Sequence, residues 1–382
     1  MAYQMINNLT GPDAVLAAIR DFAVAKGWTV LENLSPDLPL DGSAVSDGLR
    51  LTLQSAGSGA IIANFRSANG KKIFEDQNNT GTASGPPTTP PAPIITNAYG
   101  IGLTCSTGYT SNPPSGKWFD QVGATKHGLT QRVIGVGIPI APAKACNVYL
   151  NAITDPQIML LISVEYAPGV FQHLAVGLVQ KASIWTGGTI YSGSRNSVNM
   201  FTASTSFDPV QIEAESGLLF GMQKNANTFL RADIDSAALR VPAVTWASAG
   251  ADDALIDSCF TGKMLALPVK QKASLAAAWD PKIPHYAYLQ SQEPKDTGRN
   301  INTLNCITVN LPLAVYVQRD PDGLRNFSLC GYVPGVNYIS TRNVAAAQTY
   351  EISYPQSGQL HQAFPYTRRG GLFGYDGFSV KQ

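Results

Sequence analysis

Short apolar runs separated by turn-forming residues dominate the chain. From Tyr99 to about Tyr338 they recur at 131–140, 147–153, 157–166, 217–222, 264–269, 307–317 and 327–333, with Gly, Pro, Asn and Ser between them. Runs of this length with turn chemistry between them predict strands, and together an all-β sandwich or barrel-like body. The best-patterned stretch is 160–195, LLISVEYAPGVFQHLAVGLVQKASIWTGGTIYSGSR. It reads as an antiparallel meander: an apolar run over 160–166, a hairpin turn at Pro168-Gly169, and a return strand over 170–181. Gly187-Gly188 marks a second turn or a backbone that needs positive φ. Gly135-Val136-Gly137 predicts a strand against which another backbone approaches closely.

One stretch has helical periodicity. In 12–26, PDAVLAAIRDFAVAK, Val15, Leu16, Ile19, Phe22 and Ala23 fall on one face. Pro12 and Asp13 suit a first turn, and Lys26-Gly27 a stop. Extended segments follow at 28–30, 50–53 and 60–65. This predicts a small α+β unit over 1–75, the apolar face of the helix packing on its own sheet. The segment 76–97, DQNNTGTASGPPTTPPAPIITN, is either a linker stiffened by proline or a long loop inside one sheet. A β-rich body over 98–338 follows. Within it, 257–262 and 270–279 are short helical patches and 233–239 is ambiguous between helix and strand.

The last stretch, 339–382, changes character. Residues 343–351 suit a short helix or a loop, and the remainder is rich in Gly, Pro and aromatics. Two readings stand. Either this is an extended arm laid on another surface with Phe364, Tyr366, Phe373, Tyr375 and Phe378 as anchors, or it packs back on its own domain. The fold class is therefore mainly β: a small α+β N-terminal unit, a β-sandwich-like body and an extended C-terminal arm.

Composition narrows the function. The 382 residues carry a net charge of +1, so bulk electrostatics point to neither nucleic acid nor an anionic membrane. Charged residues make up 14%, against roughly 25% in ordinary soluble proteins. Such a surface is either covered by partner subunits or rich in hydroxyl and amide groups. No run of about 18 apolar residues exists and the N-terminus lacks a signal-peptide pattern, which predicts cytoplasmic synthesis without membrane insertion. Cys105, Cys146, Cys259, Cys306 and Cys330 match no zinc spacing and are expected to be buried reduced thiols.

Candidate chemistry is sparse. Of His127, His173, His285 and His361, His173 sits inside a predicted strand and is expected to be a hydrogen-bonded structural residue. The sequence QRDPDG around Asp320 and Asp322 suits a turn better than a calcium loop. Glu165 and Asp155 are the nearest approach to a glycosidase pair. No H-E-x-x-H, G-x-S-x-G or paired Cys/His set occurs, so no enzyme, cofactor or metal is expected.

The stretch 164–195 does carry a resemblance. Val164-Glu165, Pro168-Gly169, Phe171, His173, Gly177-Leu178-Val179, Lys181, Trp185, Gly187-Gly188 and Tyr191 resemble a motif of virion proteins of tailed bacteriophages. The helix ending in Gly27-Trp28 is similar to the N-terminus of such proteins, and NYISTRNVAAAQTYEI with GYDGFSVKQ is similar to their C-terminal region. Leu174 and Val176 are smaller than the pattern leads one to expect. The resemblance implies a structural component in or near the tail tip or baseplate, found in the virion. Its partners would be other virion proteins and copies of itself, with no catalytic residues to carry over. Assembly contacts are then expected at Trp185, Tyr191 and the C-terminal aromatics. The rival expectation is a receptor- or glycan-binding tip protein, with Trp118 and Phe119 as exposed aromatics that stack on sugars or touch a host surface receptor. A particle-associated hydrolase is a third class, for which no recognisable triad is present.

Overall fold

The structure is a computed structural model describing residues 2–40, 45–57, 60–74, 98–124, 133, 135–154, 157–196, 228–234, 237–242, 264–267, 307–308, 310–318, 327–341, 343–352, 357–365 and 376–382. The chain opens with strand β1 (Ala2–Thr10) and helix α1 (Pro12–Ala25). Strands β2 (Thr29–Pro36), β3 (Leu49–Gln54), β4 (Ile62–Asn69), β5 (Tyr99–Ser106) and β6 (Val136–Pro139) follow. Next come β7 (Ala145–Ile153), β8 (Met159–Ala167), β9 (Val170–Leu178), β10 (Gln180–Lys181), β11 (Thr186–Gly193) and β12 (Arg195–Asn196). The remainder comprises β13 (Thr228–Ile234), β14 (Ala237–Pro242), β15 (Met264–Leu267), β16 (Leu311–Gln318) and β17 (Phe327–Ser340). It closes with β18 (Thr349–Ile352), β19 (Gln359–Pro365) and β20 (Asp376–Lys381).

These strands form three antiparallel sheets in three layers. The middle sheet has the order β1-β7-β8-β9-β11-β13-β14. One outer sheet runs β12-β6-β5-β4-β3-β2, the other β15-β16-β17-β20-β19-β18, with β10 added on β17. Side chains alternate across the middle sheet. Val148, Leu150, Leu160, Ile162, Val164, Leu174 and Val176 pack with Leu51, Phe65, Leu103 and Ile138 of the first outer sheet. Tyr149, Leu161, Phe171 and Ala175 point the other way and pack with Val315, Val336, Phe364 and Phe378. A sheet buried on both faces needs apolar residues at successive positions, which is why 159–162 reads as a continuous apolar run.

The expected helix is present, with Pro12 in its first turn and Lys26-Gly27 at its end, Gly27 at φ 87°. Val15, Leu16, Ile19, Phe22 and Ala23 are all buried in the first interlayer core. Burying side chains of this size contributes about 1.5–3 kcal/mol each for the larger four. The Pro168-Gly169 hairpin joins β8 to β9 with Gly169 at φ 78°, and Gly187 and Gly188 have φ 80° and 114°. The close approach expected at 135–137 is also found: the Phe74 ring lies over Gly135, and Gly193 meets the Gly137 backbone. The ambiguous 233–239 falls in the β13–β14 hairpin. The segments expected at 217–222, 257–262, 270–279 and 320–323 lie outside the described residues.

Two expectations are corrected, and one alternative left open is decided. Residues 1–75 do not form a unit apart: β1 pairs with β7, β4 pairs with β5, and α1 packs in the core shared by both sheets. The segment 76–97 lies outside the described residues, but β4 and β5 on either side of it are adjacent in one sheet, so it connects neighbouring strands rather than domains. The C-terminal arm is not extended over another surface: β18, β19 and β20 complete the second outer sheet beside β17, and Phe364 and Phe378 fill its inner face. His361, Gln362, Ala363 and Phe364 are buried in succession, so both faces of β19 are covered.

Gly177 shows how little room the middle sheet has. A Cβ there would lie 2.5 Å from the Ile158 carbonyl oxygen and 2.5 Å from the Met159 methyl. Gly177→Ala is expected to destabilise the fold by about 1–3 kcal/mol, read as a lowered midpoint in urea denaturation with an unchanged slope.

Candidate functional site

The motif of 164–195 is built into the joint between the middle sheet and the second outer sheet. His173, on β9, is 3% exposed. Its Nδ1 is 2.8 Å from Ser163 Oγ on β8, and its backbone N–H donates to Ser194 Oγ at 2.7 Å. Phe171, Phe364 and Phe378 surround the ring, the last edge-on at a centroid distance of 4.8 Å. Burial lowers its pKa from 6.5 to about 3, so the imidazole is neutral at physiological pH. This is the structural, hydrogen-bonded histidine expected from the sequence.

Trp185 ends the crossing from β9 to β11. Its indole N–H donates to the Cys330 carbonyl on β17 at 3.2 Å. Lys181 Nζ lies 4.8 Å from the Trp185 ring centre and donates to the Trp185 carbonyl at 2.7 Å. Gly188 lets this pair close, since a Cβ there would lie 3.2 Å from Lys181 Cε. On β17, Gly331 serves the same end, because a Cβ would overlap the Gln180 carbonyl oxygen. Tyr191 points into the other core, against Phe229 at 5.3 Å.

Four of the seven residues expected to make intermolecular contacts sit inside the subunit. Trp185, Tyr191, Phe364 and Phe378 are buried. Tyr366, Phe373 and Tyr375 lie outside the described residues. Trp118 and Phe119, expected as exposed stacking platforms, are 3% and 2% exposed. They pack with Phe74 on the outer side of the first outer sheet, and Trp118 donates its indole N–H to the Ile73 carbonyl at 2.9 Å. Glu165 is occupied as a turn cap, accepting from Asn147, Tyr149 and the Gly169 N–H. Asp155, His127 and His285 lie outside the described residues.

A cluster not foreseen from the sequence lies on the first outer sheet. Arg50 and Arg66 are cross-strand neighbours on β3 and β4. Arg66, 1% exposed, donates from Nε to Asp37 Oδ2 at 2.6 Å and from Nη1 to the Ser67 carbonyl at 3.0 Å. Arg50 pairs with Glu32 at 2.8 Å and approaches Asp37 at 3.7 Å. Burial raises the pKa of Glu32 against the pull of Arg50, and raises that of Asp47 against the pull of Arg66. Burial likewise lowers that of Arg66, opposed by Asp37. Nearby, Asp13 of the first helical turn accepts from Ser67 and Asn69 of β4, tying the helix to the sheet. The available signal was an arginine in each of two adjacent strands, near the start of LRLTLQ and in the middle of IANFRSAN.

A second polar group forms on the last strands. His361 Nδ1 is 3.3 Å from Ser379 Oγ and 3.4 Å from Asn337 Nδ2, and Tyr350 donates to Asn310 Oδ1 at 2.6 Å. Burial and Lys381 lower the His361 pKa to about 4, so this ring is also neutral near pH 7. Cys105, Cys146 and Cys330 are buried free thiols; burial raises the Cys146 pKa to about 11, which leaves it a poor nucleophile. Cys259 and Cys306 lie outside the described residues. Among the described residues, no group of three or more His, Cys, Asp or Glu side chains is placed to hold a metal ion. No described helix is long and apolar enough to cross a membrane. No protein-family model matches the chain, and no curated protein matches it significantly.

Arg66→Met is expected to cost about 3–5 kcal/mol, because it leaves the Asp37 carboxylate in a site built around a cation. The double variant Arg66→Met/Asp37→Leu should recover most of that loss, and a double-mutant cycle in urea measures it. His173 sets a pH dependence. Its folded pKa lies below the unfolded 6.5, so the stability it contributes is full above that pH and is lost as pH falls toward 3. About 2 kcal/mol should be lost from this residue between pH 7 and pH 5, and His173→Gln should lose correspondingly less over the same interval.

Proposed function

We propose that this chain is a non-enzymatic structural subunit of a tailed-phage particle, in or near the tail tip or baseplate, acting through assembly. The observation that carries this reading is the use to which the 164–195 motif is put. His173, Trp185 and Tyr191 all pack between layers, and Gly177 and Gly188 make room for neighbouring groups. The residues of the resemblance thus serve as framework. A stiff β body of low charge suits a subunit that buries its surface against other virion proteins and copies of itself. The alternative, a receptor- or glycan-binding tip protein, needs a platform other than Trp118 and Phe119, since both lie under Phe74. Its appeal rests on the position in the particle rather than on any described side chain.

Antibody labelling and imaging of purified particles test the reading. Label at the tail end in a symmetric arrangement is the expected outcome. Absence of the chain from purified particles would defeat it, and loss of host adsorption without loss of assembly on removing surface loops would favour the receptor-binding alternative.

A further inference from the structure

We propose that β1 is a self-association edge, pairing antiparallel with β1 of a second copy across a two-fold axis centred on Gln4, so that two middle sheets join into one. Sheet edges present unpaired backbone donors and acceptors, and most monomeric proteins blunt them. Among the described residues, the other sheet edges are blunted. β2 carries Glu32 and Pro36, two register breaks against β3, and Leu34 at φ 48°. β18 has four residues and includes Glu351, β12 has two, and β15 has four. β14 contains Arg240 and Pro242.

β1 differs from these over the stretch from Ala2 to Ile6. It is nine residues long, AYQMINNLT, with no charge and no proline. Its pairing with β7 is regular from Ala2 to Ile6, and the single irregularity falls between Ile6 and Leu9, where Asn8 has φ 60°. Alternate residues of this regular stretch turn their N–H and C=O groups away from β7. Tyr3 and Met5 are among the exposed large hydrophobics, at 36% and 40%. They lie on one side of the strand, so a partner strand beside them would cover apolar surface as well as satisfy the backbone.

Self-pairing fits this pattern in one register. With Gln4 opposite its own copy, Tyr3 faces Met5 of the other chain and Ala2 faces Ile6. The aromatic–methionine contact is favourable and occurs twice by symmetry. No like charges meet at any position. The inference stands on the edge itself and holds whether or not the subunit belongs to a phage particle.

Light scattering and sedimentation of the full chain between 1 and 200 µM test it. The expected result is a concentration-dependent dimer. Gln4→Lys places like charges directly opposite each other and should weaken the dimer about fivefold or more. Gln4→Glu should do the same, and an equimolar mixture of the two variants should restore dimerisation. Gln4 is exposed, so thermal midpoints of the dilute variants should match that of the unaltered chain. A chain that stays monomeric at 200 µM would overturn the proposal. So would a dimer indifferent to both variants, or a mixture no tighter than either variant alone.

Discussion

Burial of the middle sheet on both faces is the constraint that the rest of the molecule obeys. A strand with one wet face can place a polar side chain at every second residue. Strands β8 and β9 cannot, because either side of each meets a packed layer. Polar groups that remain there must find partners inside, as His173 does with Ser163, or carry the cost of an unmade hydrogen bond. Crowding follows from the same cause. Glycines appear where a layer, a crossing or a neighbouring backbone comes too close for a side chain, at Gly177, Gly193 and Gly331.

Charge is handled in a corresponding way. The ion pairs of Arg50 with Glu32 and of Arg66 with Asp37 sit on the first outer sheet. Arg66 there is held by a carboxylate and a carbonyl, so its desolvation is offset by fixed partners rather than by water. Such a network adds less to stability than its short distances suggest, since desolvation opposes attraction for every member. Its effect is to fix geometry: Asp37 joins the end of β2 to β4, and Asp13 joins α1 to the same strand.

The sequence disclosed those parts of the fold that depend on local pattern. The helix face, the Pro168-Gly169 turn and the strands of 147–181 were readable because each has its own period or turn signal. β1 was not, because an edge strand with mostly exposed polar residues lacks apolar alternation. β19 and β20 were hidden by the glycines and prolines around them, although their inward residues Phe364 and Phe378 are large. The error at Trp118 and Phe119 has a tertiary cause. Their cover is Phe74, and nothing within a local window indicates it. The ion network was missed for the same reason, since Asp37 and Arg66 meet only once β2, β3 and β4 are in register.

The pairing of β1 with β7 also orders events in time. Ala2 lies opposite Ala152, so β1 has no β7 to pair with until about 150 further residues have been synthesised. At ordinary synthesis rates that interval is on the order of ten seconds. During it β1 has both edges open, beside a helix whose apolar face belongs to a core not yet built. Pairings this distant in sequence form slowly. The nascent chain therefore passes through a state in which an uncharged strand still lacks its place in the middle sheet.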